Sequence, residues 1–321
     1  MLSRIAESLF WMGRYLERAE DTARLLDASL NHLLEATTTD EISLCTALLH
    51  VMEAPPKDEV LIDAAYITRT LAFDMKNPNS IVGSLRAARE AARGAREAIS
   101  SEMWECLNGT FNELGDQERS AGVFGPSTFF RWVRTQTAVM AGLTDSTMSR
   151  DDAYRFLVLG RNLERVDMTA RMLALRYSSG DTSADWVTTL RCCSAHEAYL
   201  RTYRRAVDGS LVLEFLMLDR LFPRSLFHAL SAAERALIQL DGDLGRSGSG
   251  GVARRLAGRA RTELEFRNID EIIDDLAEHL EGIESTTSEI SNAIAERFFR
   301  HQNEGTWIAD RERLLTPIGG T

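Results

Sequence analysis

Apolar residues recur down the opening of the chain at steps of three and four: Leu9, Met12, Leu16, Ala19, Ala23, Leu26, Leu30 and Leu33. That spacing lays an unbroken stripe along one face of an α-helix, and it predicts a helix over 3–35 that packs against another helix. Ser3 with Glu7 close behind supplies a start signal, and 37–40 reads as the first loop. Helical periodicity resumes over 42–53 and, after the break at Pro55-Pro56, over 59–73. Asn77-Pro78-Asn79-Ser80 makes a turn whose Ser80 can cap the next helix. That helix is predicted to run over 81–108, where Arg89, Arg93 and Arg96 interleave with Glu90 and Glu97 among many alanines. Gly, Asp and Ser over 115–126 predict a loop, followed by a helix over 129–143. Few β-branched alternations interrupt this pattern, so the fold class is all-α.

The pattern also repeats itself. Shifting the chain by 147 residues aligns Gly13-Arg14-Tyr15-Leu16-Glu17-Arg18-Ala19-Glu20-Asp21-Thr22-Ala23-Arg24-Leu25-Leu26 with Gly160-Arg161-Asn162-Leu163-Glu164-Arg165-Val166-Asp167-Met168-Thr169-Ala170-Arg171-Met172-Leu173. Nine of the fourteen positions are identical, too many for coincidence in a charged stretch. A second block matches at a shift of 145: Leu71, Asp74, Pro78, Ser80 and Leu85 with Leu216, Asp219, Pro223, Ser225 and Leu230. The expectation is a duplicated helical bundle with a pseudo-twofold internal repeat. Its halves, 1–145 and 146–321, form one compact unit rather than beads on a linker. The Gly- and Ser-rich stretch 241–251 reads as a mobile loop within the second half. It carries no Lys before Ser or Thr, as a phosphate loop requires.

Charge narrows the partners. Thirty-seven basic against 48 acidic residues give a net charge of −11, which repels phosphate backbones and argues against nucleic acid. No apolar run approaches the roughly 20 residues that span a bilayer, so no membrane partner is expected. Charged residues in the first turns argue against an export signal. Cys45, Cys106, Cys192 and Cys193 show no Cys-x-x-Cys spacing, and as reduced, buried thiols they fit a cytoplasmic protein. Nothing in the pattern speaks against a homo-oligomer.

The candidate polar site is the repeated motif: Gly13, Arg14, Glu17, Arg18, Glu20 and Arg24, with Gly160, Arg161, Glu164, Arg165, Asp167 and Arg171. At 100° per residue, Gly13, Glu17, Glu20 and Arg24 share a stripe beside the apolar seam, as do their copies; Arg14, Arg18, Arg161 and Arg165 fall on the farther side. A mid-helix glycine costs about 1 kcal/mol relative to alanine, so its presence in both copies signals close approach of another backbone or a ligand. Three uses stay open. The charges form interhelical ion pairs that fix register; or the four acids converge on a divalent metal, although the Glu-x-x-His of carboxylate-bridged bundles is missing; or acids and arginines line a groove for a peptide or an amine and carboxylate ligand. His196-Glu197 fails the zincin pattern because Leu200 occupies the second histidine's place, and no Gly-x-Ser-x-Gly occurs. No catalytic residue is assigned. Phe10, Trp11, Tyr15, Phe129, Phe130 and Trp132 read as core, and Phe298, Phe299 and Trp307 as a dock for the last helix.

Leu9-Phe10-Trp11-Met12-Gly13-Arg14-Tyr15-Leu16-Glu17-Arg18-Ala19-Glu20 with Ala23-Arg24 resembles the opening of the bacterial alpha-E family, a domain of unknown function. Asn77 to Ile81, Ala88-Arg89-Glu90, Arg96-Glu97, Trp104-Glu105, the second motif and Pro223-Arg224-Ser225 extend the resemblance over nearly the whole chain. It implies neighbouring genes for a circularly permuted ATP-grasp ligase and a transglutaminase-like or peptidase-type protein. By that resemblance, the protein is expected to serve as an accessory or substrate-presenting partner of the ligase in making or modifying a peptide or amide bond. The alternative is an enzyme that uses the clustered carboxylates, with or without a divalent metal, for hydrolysis or amide transfer. Asp167 in place of Glu20, and Asn162 in place of Tyr15, predict that the two copies differ in chemistry.

Overall fold

The computed structural model describes residues 1–33, 38–56, 61–178, 183–242 and 250–299. Among them every regular element is helical. In chain order these are α1 (Ser3–Leu33), α2 (Thr38–Val51), α3 (Ala64–Thr68) running into a π-turn (Arg69–Phe73), α4 (Ile81–Gly94), α5 (Ser101–Phe124) and α6 (Pro126–Thr147). There follow α7 (Asp152–Ser178), α8 (Ser183–Cys192), α9 (His196–Tyr203), α10 (Gly209–Leu218) and α11 (Leu226–Asp241). The last elements are α12 (Val252–Phe266), α13 (Ile269–Asp274), α14 (Leu276–Ile294) and a closing π-turn (Ala295–Phe299).

Helices α1 and α7, the two that bear the repeated motif, form the central pair. Around it, α4, α6 and α8 pack on α1, while α11, α14, α2 and α8 pack on α7. The apolar seam of α1 is consumed here: Leu9, Met12, Ala19, Ala23 and Leu26 are fully buried, as the three-and-four spacing requires. Two apolar clusters flank the central crossing. One gathers Leu26, Leu48, Phe129, Phe130, Leu173, Tyr199 and Phe215; the other gathers Leu9, Phe10, Met103, Phe156, Leu237, Ile290 and Phe299. Each draws on residues before and after position 145, so neither half owns a core of its own.

Several boundaries move from their sequence-based positions. The 81–108 helix is two helices, because the chain turns after Gly94 and starts again at Ser100, whose hydroxyl accepts from the Met103 amide at 3.1 Å. The loop expected over 115–126 is helix as far as Phe124, with the break confined to Gly125 (φ +92°). In the region expected as one helix over 59–73, the described part is non-helical up to Asp63 and helical only from Ala64, as the short α3 and its π-turn. Helix α2 begins at Thr38, inside the stretch read as a loop. Ser80 caps α4 as expected, accepting from Gly83 at 2.9 Å, and Ser225 caps α11 in the same way from His228 at 3.1 Å. Phe299 docks on Phe10 and Phe156, and Phe298 packs edge-on against Phe156. Trp307 and most of the 241–251 stretch lie outside the described residues.

Candidate functional site

The motif glycines sit where α1 crosses α7. A Cβ on Gly13 would run into the carbonyl oxygen of Leu157, and a Cβ on Gly160 would run into that of Phe10. Only glycine lets the two backbones approach so closely. One turn beyond each glycine, the acid and arginine reach across to the other helix. Arg18 donates through Nε to Glu164 Oε1 at 2.5 Å and through Nη2 to Oε2 at 3.1 Å. Arg165 donates through Nε to Glu17 Oε1 at 2.7 Å and through Nη2 to Oε2 at 3.2 Å. Each contact is a planar fork on a carboxylate, so guanidinium rather than ammonium chemistry is needed at both positions. The next turn also repeats: Arg24 holds Glu20 at 2.8 Å, and Arg171 holds Asp167 at 3.1 Å.

Around this crossed core the two sides diverge. Arg14 adds a 2.6 Å bond to Glu164, lies 3.5 Å from Asp167, and donates to Ser291 on α14 at 3.1 Å. Its counterpart Arg161 makes no ion pair among the described residues, and its Nε is buried without a partner. The place opposite Arg161 is taken by Arg224, from the turn before α11. Arg224 meets Glu17 at 2.7 Å and Glu20 at 2.8 Å through Nη2, and donates through Nη1 to Asp21. On the other side Asn79, which precedes α4 as Arg224 precedes α11, accepts from Arg18 at 2.9 Å. Arg14 and Arg18 therefore face the helix interface, not the farther side expected from an ideal helical wheel. Long arginine stems from positions flanking the seam bend inward once a buried carboxylate draws them.

The electrostatics follow from burial. Glu164 is fully buried; burial pushes its carboxyl up, but the pull of Arg14 and Arg18 more than reverses this and holds it at about 2. Burial raises Asp21 and Asp167, reinforced by Glu17 and Glu20 in the first case and Glu164 in the second, against the opposing pull of Arg224 and Arg171. Arg161 is lowered, chiefly by burial and then by neighbouring Arg165. The four acids Glu17, Glu20, Glu164 and Asp167 do line one boundary, yet each is already engaged by at least two guanidinium groups. Among the described residues, no three His, Cys, Asp or Glu side chains group in a way that could hold a metal ion. The donor set as arranged fits arginine and would admit a divalent cation only if arginines withdrew. Burial also pushes Cys45 up to about 11 and Cys193 to about 12, so neither offers a thiolate near neutral pH.

Asp21, Arg224, Asn79 and Ser291 are the partners that motif reading alone did not place in the site. A signal existed in the departures between copies. The charged pair Asp21 and Arg224 stands where the other copy has neutral Met168 and Asn79, so two differences in separate blocks match each other.

An all-α domain organised on a buried crossing of two long helices, with arginines and glutamates exchanged between them, is the class that fold and site define. The chain belongs to the Alpha-E family, described as a predicted alpha-helical domain with a conserved ER motif, which matches residues 1–299. Uncharacterized proteins of Mycobacterium bovis and of two strains of Mycobacterium tuberculosis are each 24% identical over 320 aligned residues, covering 91% of this chain. The chain spans 36% of the length of these relatives. No solved structure matches. Among the described residues no helix is long and apolar enough to cross a membrane.

Proposed function

We propose that this protein is an accessory, substrate-presenting module that works beside an ATP-grasp ligase in forming or modifying a peptide or amide bond, in the cytoplasm. The observation that carries this reading is the commitment of the motif. Its acids are engaged by arginines at 2.5–3.5 Å, so they act as a structural keel and leave the bond-making to a partner. The relatives support a modular role, since the matched region is only about a third of each and the remainder supplies room for further domains. The neighbouring ligase and the transglutaminase-like or peptidase-type protein come from the family resemblance. The ER motif of the family corresponds, in this reading, to Glu17-Arg18 and Glu164-Arg165, two copies of a duplicated unit that trade partners about a pseudo-twofold axis. The alternative of a carboxylate enzyme draws less support, because each acid would first have to release its arginine.

The test is reconstitution. An ATP-grasp ligase of the kind the resemblance implies, from the same organism, is purified, and ATP-dependent amide formation is followed with and without this chain. Co-elution of the two and a rate increase of at least about tenfold, or about 1.4 kcal/mol of barrier, support the proposal. A ligase that works at full rate alone and does not bind the chain contradicts it.

A further inference from the structure

Arginine and acid are matched on one side of the α1–α7 crossing and mismatched on the other. On the first side Arg14, Arg18 and Arg171 meet Glu164, Asp167 and Glu53, three guanidinium groups to three carboxyls. On the second side Arg24, Arg165 and Arg224 already engage Glu17, Glu20 and Asp21, so Arg161 is a fourth cation with no carboxyl left to meet. Arg161 is half-buried, and of its nitrogens only Nε is shielded from solvent without a partner. Its terminal nitrogens, which make no hydrogen bond among the described residues, therefore reach solvent. The groups whose charge acts on Arg161 are Arg165 one turn along α7, Glu17 on α1, and Asp145 and Tyr154 nearby. Glu17 is taken by Arg165 and Arg224. Asp145 is taken by Arg150 at 3.4 Å and by the Tyr154 hydroxyl, which donates to it at 3.1 Å. The aromatic cover differs as well. Arg14 lies over Trp11 and Arg18 over Tyr15, at 5.6 and 6.0 Å, whereas Val158 and Asn162 hold the corresponding places in the second motif. Among the described residues no ring covers Arg161 or Arg165.

We infer that Arg161 is the binding site for the carboxylate of a small monoanionic ligand, held end-on by its two terminal nitrogens beside the charge of Arg165. The crossing already carries two planar forks on carboxylates, Arg18 on Glu164 and Arg165 on Glu17, and the ligand supplies the acid for a third. The surplus on this side is a single positive charge. A monoanion cancels it, while a doubly charged phosphate overshoots and meets the repulsion of Glu17 and Asp145. The inference goes beyond the presenting role and stands on Arg161. It is tested on the chain alone, so it and the ligase partnership can fail separately.

The experiment is a titration of the full chain with sodium acetate at pH 7, acetate replacing chloride at constant ionic strength so that screening stays fixed. The first readout is the Nε–Hε resonance of Arg161, which burial protects from exchange with water and which Arg161→Gln identifies by its loss. A saturable shift in roughly the millimolar range is expected, with none from acetamide, the neutral isostere, and weaker binding of inorganic phosphate. The second readout is Tm. In chloride, Arg161→Gln should melt at or above the parent, since it removes a cation that no carboxyl meets. In acetate the parent should gain more Tm than Arg161→Gln, as binding to the folded state requires. Arg155→Gln, which alters another arginine of α7, one paired with Asp152, should respond to acetate as the parent does. The inference is overturned if no saturable shift appears, if acetamide or phosphate matches acetate, or if Arg161→Gln keeps the parent's gain in Tm. A clear fall in Tm for Arg161→Gln in chloride overturns it too, because Arg161 would then have a partner within the chain.

Discussion

Burying a carboxylate costs several kcal/mol unless its oxygens are met, and Glu164 has both oxygens met by two arginines while its side chain is wholly shielded from solvent. Removing its charge alone strands those guanidinium groups. Glu164→Gln is therefore expected to lose about 3–5 kcal/mol in urea unfolding, whereas Glu118→Gln, which precedes Arg119 in a different Glu-Arg dipeptide, should stay within about 0.5 kcal/mol. The same carboxyl sets an acid limit. Its folded value of about 2 lies below the usual 4.5, so its stabilisation is complete above pH 4.5 and fades as the pH falls towards 2. Over that window about 3 kcal/mol should disappear from the parent and be missing from the Gln variant, as read by unfolding midpoints at a series of pH values. The glycines work by a different means. Gly13→Ala gains about 1 kcal/mol of helix propensity but drives a methyl into the Leu157 carbonyl, and a net loss of about 2 kcal/mol or more is expected from the forced separation of α1 and α7. Sequence alone announced these residues, because acid, arginine and glycine at fixed spacing on an amphipathic helix have few inexpensive uses. It could not say which arginine meets which acid, since that depends on where stems bend in three dimensions.

At the level of the helices, the sequence revealed existence more readily than ends. The seam of α1 and the Ser80 cap were plain, as each rests on local chemistry. The run of alanines and arginines over 81–108 concealed a break because strong helix formers surround Gly94 and Ser100, and only the burial of Ala95 and Ile99 makes the turn worthwhile. The reverse error arose in α5. Gly115 and Gly122 read as loop residues, yet both stand on the open side of a helix held by Met103, Leu107, Leu114 and Ala121 on its inner face. Tertiary packing there overrides a propensity cost of about 1 kcal/mol for each glycine. It follows that Gly122→Ala should raise stability by about 0.5–1 kcal/mol, with no methyl clash to offset the gain. A neutral or destabilising result in thermal unfolding would mean that the residue is not helical in solution.

For the molecule as a whole, the arrangement has one central tie. Two long helices from distant parts of the chain cross at glycines and exchange forks, Arg18 to Glu164 and Arg165 to Glu17, while the surrounding helices bury the apolar faces on either side. The repeated motif made a shared boundary legible. The differences between its copies, with Arg14 satisfied by Glu164 and Ser291 and Arg161 left unpaired, emerged only when Arg224 was seen to occupy the second position. A protein so built ties its two central helices together through the charges of its repeated motif. The most direct measurement is a double-mutant cycle on the crossed pair, comparing the parent, Arg18→Met, Glu164→Gln and the double variant by equilibrium unfolding. Exchange of forks across the α1 and α7 interface predicts a coupling of about 2–3 kcal/mol. Additivity of the two single changes within about 0.5 kcal/mol would contradict it.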